Sequence, residues 1–192
     1  MARADETTHA PTRAAVYFLI SLYQLFCGDP EAVRRIAKVA VDLSREHGMA
    51  LYLAYGEMPA IWARARLGDR QSAMTGLQEA LPAYLGQGNK LLAPLFQGLL
   101  AELETEGEDA EGALREIDEA LALANETGER WTDALLNRLR GEILLKRDPA
   151  NTAQAEAAFL AAIAVAQAQK AKSFELQAAL SLGRLYQPKF AS

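Results

Sequence analysis

Apolar residues recur three and four positions apart through most of this chain, and no stretch alternates apolar with polar long enough to suggest a sheet. The pattern predicts nine helices, at approximately 12–27, 30–47, 49–67, 70–86, 90–106, 109–127, 130–147, 151–170 and 172–187. Breakers fall between them: Gly28-Asp29-Pro30, Gly68-Asp69, Gly107 with Asp109, and Asp148-Pro149. Glycine reaches the left-handed dihedrals that end a helix, aspartate caps the next one, and proline suits its first turn.

The pattern also repeats. Three segments open alike, from Glu46, Gly86 and Glu126, and their central glycines Gly48, Gly88 and Gly128 lie 40 residues apart. A fourth copy starts near Gln169-Lys170-Ala171. A second set of landmarks keeps step: Ala32/Ile36/Val39, Ala73/Leu77/Ala80, Ala113/Ile117/Ala120 and Ala155/Phe159/Ala162. Positions four and seven apart share one side of a helix, so small residues there admit a neighbouring helix and the large one fills the gap. A helix pair cannot bury such a stripe alone, so pairs must stack. The sequence thus predicts an all-α array of about four helix pairs and a final capping helix, with a flexible tail over 1–11 and one repeat domain over 12–192.

Composition narrows the function classes. Half the residues are apolar, 51%, which suffices for a core, and aromatic residues are only 7%. The net charge of −5 and the lack of a basic stripe beyond Arg34, Arg35 and Lys38 argue against nucleic acid as a partner. Residues 101–120 hold nine carboxylates against Arg115 and read as a solvated helical face. The single cysteine, Cys27, excludes an intrachain disulfide and is expected to be buried near a helix end; it suits a reducing cytoplasm. The apolar stretch Ala14–Phe26 is too short for a bilayer, which needs ~20 residues, so no membrane partner is expected.

Catalytic chemistry finds little to stand on. The histidines are His9, placed in the tail, and His47, placed at a helix end beside Gly48. A Cys27–His47 pair is the one formal nucleophile–base combination, and a zinc site would need more Cys and His. No G-x-x-x-x-G-K-[ST] loop occurs to cradle a nucleotide. The chain reads as a non-enzyme without a cofactor or a metal. Arg138, Glu142 and Lys146, four residues apart, form either a ladder of surface ion pairs or a charged lining for a groove. Trp131, opening a repeat, is expected to wedge into the core.

Helix pairs with alanines seven apart in the second helix resemble tetratricopeptide repeats, in a form longer than the standard unit of ~34 residues. The long form is similar to the C-terminal repeat region of bacterial signal-transduction ATPases associated with adenylate/guanylate cyclase or LuxR-type domains. The resemblance is most specific at Thr127–Trp131, Arg138–Glu142, Ala155–Phe159 and Gln169–Leu185; Ile61 departs from it, standing where a small residue is common. It implies a TPR-like right-handed solenoid whose first helices line a concave face. Carried onto this chain, that face comprises Tyr17 and Gln24, then Tyr55, Met58, Trp62 and Arg66, then Glu102 and Glu106, then Arg138, Glu142 and Lys146, and finally Gln177 and Arg184. The implied function is binding of a protein or peptide partner in bacterial signalling. Alternatives are a small-ligand sensor acting on a separate ATPase or cyclase, and a homodimer formed through the apolar last helix.

Overall fold

The patterned segments all become helices. The computed structural model describes residues 9–86, 88–106 and 109–190. Among them lie nine α-helices and no strand: α1 (Ala10–Cys27), α2 (Pro30–Glu46), α3 (Ala50–Arg66), α4 (Arg70–Gly86), α5 (Ala93–Glu106), α6 (Ala110–Thr127), α7 (Asp133–Arg147), α8 (Thr152–Ala168) and α9 (Lys172–Phe190). The Asp29 side chain accepts from the Ala32 amide at 2.9 Å, and Asp109 accepts from Gly112 at 2.8 Å, capping α2 and α6 as the sequence predicts.

The repeat is written in the backbone. Gly48, Gly88 and Gly128 adopt φ of 64°, 80° and 75°, and Lys170 takes the same left-handed place at 58° without being a glycine. Its cost is offset by helix-closing bonds, Lys170 N to Gln167 O and Ala171 N to Ala166 O. A left-handed helix end therefore stands where the fourth copy is expected, as others do at Gly28 and Gly68 between the copies.

The chain divides into two compact units, Met1–Gln87 and Gly88–Ser192. In the first, α1 packs on α2 and α3, α2 on α3, and α3 on α4. In the second, α5 packs on α6 and α7, α6 on α7, α7 on α8 and α9, and α8 on α9. Within each unit, first helices of successive pairs touch: α1 with α3, α5 with α7, and α7 with α9.

The alanine stripes point inward. Ala73, Leu77, Ala113, Ile117, Ala120, Ala155, Phe159 and Ala162 are all buried. In α2 the stripe turns by one position: Val39 is exposed and Ala40 is buried, so Ala32, Ile36 and Ala40 pack with Tyr17. Spacings of seven and eight both return to one helix face. Ala80 is only half-buried.

Several local expectations need correcting. His9 is not in a loose tail but precedes Ala10 as the N-cap of α1, its Nδ1 2.7 Å from Thr12 Oγ1, with Pro11 in the first turn. The helix expected from residue 90 starts at Ala93, because Leu92 turns left-handed at φ 63° and donates its amide to the Glu129 carboxylate at 2.8 and 2.9 Å. The stretch Arg130–Thr132 is a 3-10 turn ahead of α7. Trp131 lies at the surface, its Nε1 donating to Glu129 at 3.0 Å, and is not a core wedge. Cys27 is exposed, on the outer side of α1 in step with Leu19 and Tyr23.

The acidic run is not wholly solvated. Glu104 is buried and Glu116 is half-buried. Desolvation, and then the charges of Glu104 and Glu119, raise the Glu116 carboxyl above its ordinary value. A raised carboxyl favours the protonated folded form, so its contribution is fullest at acid pH and is lost as pH rises through the folded pKa. Glu116→Gln is therefore expected to raise Tm at pH 7, and the gain should vanish below about pH 4, where the unfolded carboxyl is also protonated. Melting curves at both pH values check this; an equal effect at both would refute it.

Candidate functional site

The positions assigned to a concave face split into three groups. Tyr17, Tyr55, Met58 and Trp62 are buried, which removes them as contact residues and corrects that assignment. They face the interior because α3 packs against both α1 and α4. Tyr55 stacks on Phe18 at 5.0 Å between ring centroids and lies 6.1 Å from Tyr84, while Arg66 covers the Trp62 ring at 5.6 Å. Gln24 on α1 and Glu102 on α5 are half-buried, and the side chain of Glu106 lies outside the described residues.

The third group forms a site in the second unit. Arg138 and Glu142 are one turn apart on α7, and Arg138 Nη1 donates to both carboxylate oxygens at 2.7 and 2.8 Å. Ser181 on α9 donates its hydroxyl to the same Glu142 oxygen at 2.7 Å. Glu142 is thereby fixed between two first helices. It opens into a recess of about 550 Å³ walled by Leu145, Pro149, Thr152, Phe159 and Leu185, with exposed Arg184 at the rim. The Arg138 side chain is only 16% exposed, and its Nε is buried without a hydrogen-bond partner. Glu142 and Arg184 thus share the lining, while Arg138 stands behind Glu142 as its ion-pair partner and does not line the recess. Gln177 is half-buried on α9. Lys146 does not join them; it lines a separate shallow recess with Asp109, Glu111 and Arg147, so the expected ladder stops at one ion pair.

Two site-forming residues, Ser181 and Gly141, were not legible as such in the sequence. Gly141 lies within α7, and a Cβ there would meet the Phe159 ring at 2.5 Å. Phe159 reaches the recess floor because α7 offers bare backbone beneath it. A glycine inside a helix costs ~1 kcal/mol against alanine, so it needs a packing reason. Its counterparts are visible in the sequence: Gly56, Gly98, Gly141 and Gly183 lie 42, 43 and 42 residues apart. That interval was the available signal.

The first unit carries a larger groove, about 1040 Å³, on the side of its second helices. Ion pairs fill it: Arg34 with Glu31, Lys38 with Asp42, Arg45 with Glu57, and Arg64 with Asp69. Ile61, the departure from the family pattern, lines this groove next to Gly76. Such exposed pairs leave balanced charge, and each contributes little. The Cys27–His47 pair is not assembled. The Tyr23 hydroxyl lies beside Cys27, which raises the Tyr23 pKa, and His47 ends α2 with its amide donating to Leu43 O. Among the described residues no group of three or more His, Cys, Asp or Glu could hold a metal, and no helix is long and apolar enough to cross a membrane.

No protein-family model and no curated protein matches this chain.

Proposed function

We propose that this chain is a protein-interaction module built from TPR-like repeats in a right-handed solenoid, serving bacterial signalling as a scaffold or regulatory part. Support for the repeat type comes from the left-handed positions at 48, 88, 128 and 170 and from first helices that touch within each unit. Support for the signalling context comes from the family-like stretches Thr127–Trp131, Arg138–Glu142 and Gln169–Leu185. The reading assigns no catalysis and no cofactor to the chain.

The observation that carries the binding role is the recess between α7 and α9. An apolar floor beside a fixed carboxylate and a rim guanidinium suits an apolar side chain of a partner segment whose flanking polar groups meet Glu142 and Arg184. A photo-crosslinking residue at position 145 should yield a discrete adduct in the native host. Arg184→Glu should reduce that adduct about tenfold, equivalent to ~1.4 kcal/mol. Lys146→Glu, outside the recess, should leave it unchanged. Equal loss in both variants, or no discrete adduct, would count against the assignment.

A second reading is a small-ligand sensor acting on a separate ATPase or cyclase. It is favoured by the recess volume, about 550 Å³, which lies within the ~300–1,000 Å³ typical of ligand pockets. A thermal-shift screen of metabolites separates the two: a stabilising compound whose effect is lost in Arg184→Glu supports the sensor, and silence across the panel removes it.

A further inference from the structure

The outer face of α8 differs in kind from the same face elsewhere in the chain. Its exposed positions include Ala153, Ala157, Leu160, Ala161, Ala164 and Ala168, with no charge among them. Forty-two residues earlier, α6 presents Glu111, Arg115, Asp118, Glu119, Ala122 and Glu126 at the equivalent places, all exposed. The outer face of α2 likewise carries Arg34, Arg35, Lys38 and Asp42. A helix face without charge is ordinarily covered by a neighbour. Yet Leu160 on α8 is 50% exposed.

The apolar surface continues onto α9. Gln167 Nε2 donates to Glu175 at 2.9 Å and Tyr186 donates to Glu156, which sets α9 along the flank of α8 nearest Leu160. There Leu176 and Leu180 are 61% and 51% exposed, and a Cβ built on Gly183 would meet nothing within 4 Å.

We propose that a second copy of this chain covers this surface, with α8 lying antiparallel on the partner's α8. The face is matched to itself. About a midpoint between residues 160 and 161, Ala153 falls opposite Ala168, Ala157 opposite Ala164, and Leu160 opposite Ala161. The exposed amides follow the same symmetry, Gln154 opposite Gln167. An antiparallel copy therefore sets small residue on small residue along the seam and meets no like charge, as a two-fold interface requires. Alanines let the two axes approach closely, and each Leu160 fills the space over the other copy's Ala161.

The area is sufficient for a weak dimer. A 17-residue helix is about 25 Å long. With α9 alongside at ~8–10 Å, the face measures ~500 Å² per copy, or ~1,000 Å² in all, near the lower bound of specific interfaces. Area alone does not set affinity, but an interface this small belongs with weak, transient associations.

Sedimentation equilibrium of the whole chain from about 1 to about 500 µM, concentrations that populate a weak dimer, tests this. The wild type should pass from monomer to dimer. Ala161→Glu, an exposed change to a good helix former, should stay monomeric with unchanged circular dichroism, whereas Leu19→Glu on α1 should dimerise like the wild type. In a Cys27→Ser background, mild oxidation should link copies through Ala161→Cys, near the two-fold axis, but not through Ala153→Cys. A wild type that stays monomeric, a dimer lost in Leu19→Glu but kept in Ala161→Glu, or equal cross-linking at 153 and 161 would each overturn the proposal.

Discussion

Phe159→Ala is expected to cost about 3–5 kcal/mol, the range for deleting a buried aromatic ring. Phe159 is 1% exposed, and its ring lies against the α7 backbone at Gly141 while also flooring the recess. Removing it takes away packing between α7 and α8 and leaves a void that two helices cannot easily close. The companion change is diagnostic. Gly141→Ala should destabilise the wild type, because its Cβ would stand 2.5 Å from the ring. In the Phe159→Ala background the same change should stabilise by up to ~1 kcal/mol, since only helix propensity remains. Urea unfolding of the four proteins gives the cycle directly. A sign for Gly141→Ala that does not depend on residue 159 would show that the ring does not rest there.

Ala113→Phe and Ala155→Phe form the second test, each expected to cost ~1–3 kcal/mol or more by overpacking. Both alanines are fully buried. Ala113 faces the packing of α6 on α5 and α7, and Ala155 that of α8 on α7 and α9. A ring at either place must push a helix axis outward, and close-packed interiors have no room to absorb it. Ala122→Phe, on the exposed face of α6, should melt near the wild type and serves as the control for helix propensity. Near-wild-type melting of Ala113→Phe and Ala155→Phe would place these alanines outside the core.

The contrast between Ala155 and Ala157 shows how far pattern reaches. Periodicity located the inward stripe of α6 and α8 residue by residue, because burial in a helix pair follows the 3.6-residue turn. It slipped by one position at Val39, where neighbouring sides of a helix compete and only the position of α1 decides. Local chemistry also sufficed for the caps of α2 and α6 and for the left-handed turn at Gly128. It did not anticipate Leu92, whose turn is held by the distant carboxylate of Glu129.

The candidate site was harder to read. Tyr55, Met58 and Trp62 share one helix face, and interface and core draw on the same large residue types, so type alone does not separate them. Burial between α1, α3 and α4 makes them core. Glu142 and Arg184 line one recess, with Arg138 held behind Glu142, but Ser181, which ties α9 to Glu142, carries no periodic mark.

By itself the sequence determined that the chain is helical, where its helices run, and that they recur in pairs, since these follow from short-range periodicity and breakers that act within a few residues. Only the tertiary structure decided which faces meet. It closed the recess of Glu142 and Arg184, sent the aromatic face of α3 inward and left the alanine face of α8 bare. Those outcomes depend on contacts between residues tens of positions apart, and a helix presents the same pattern whichever neighbour covers it.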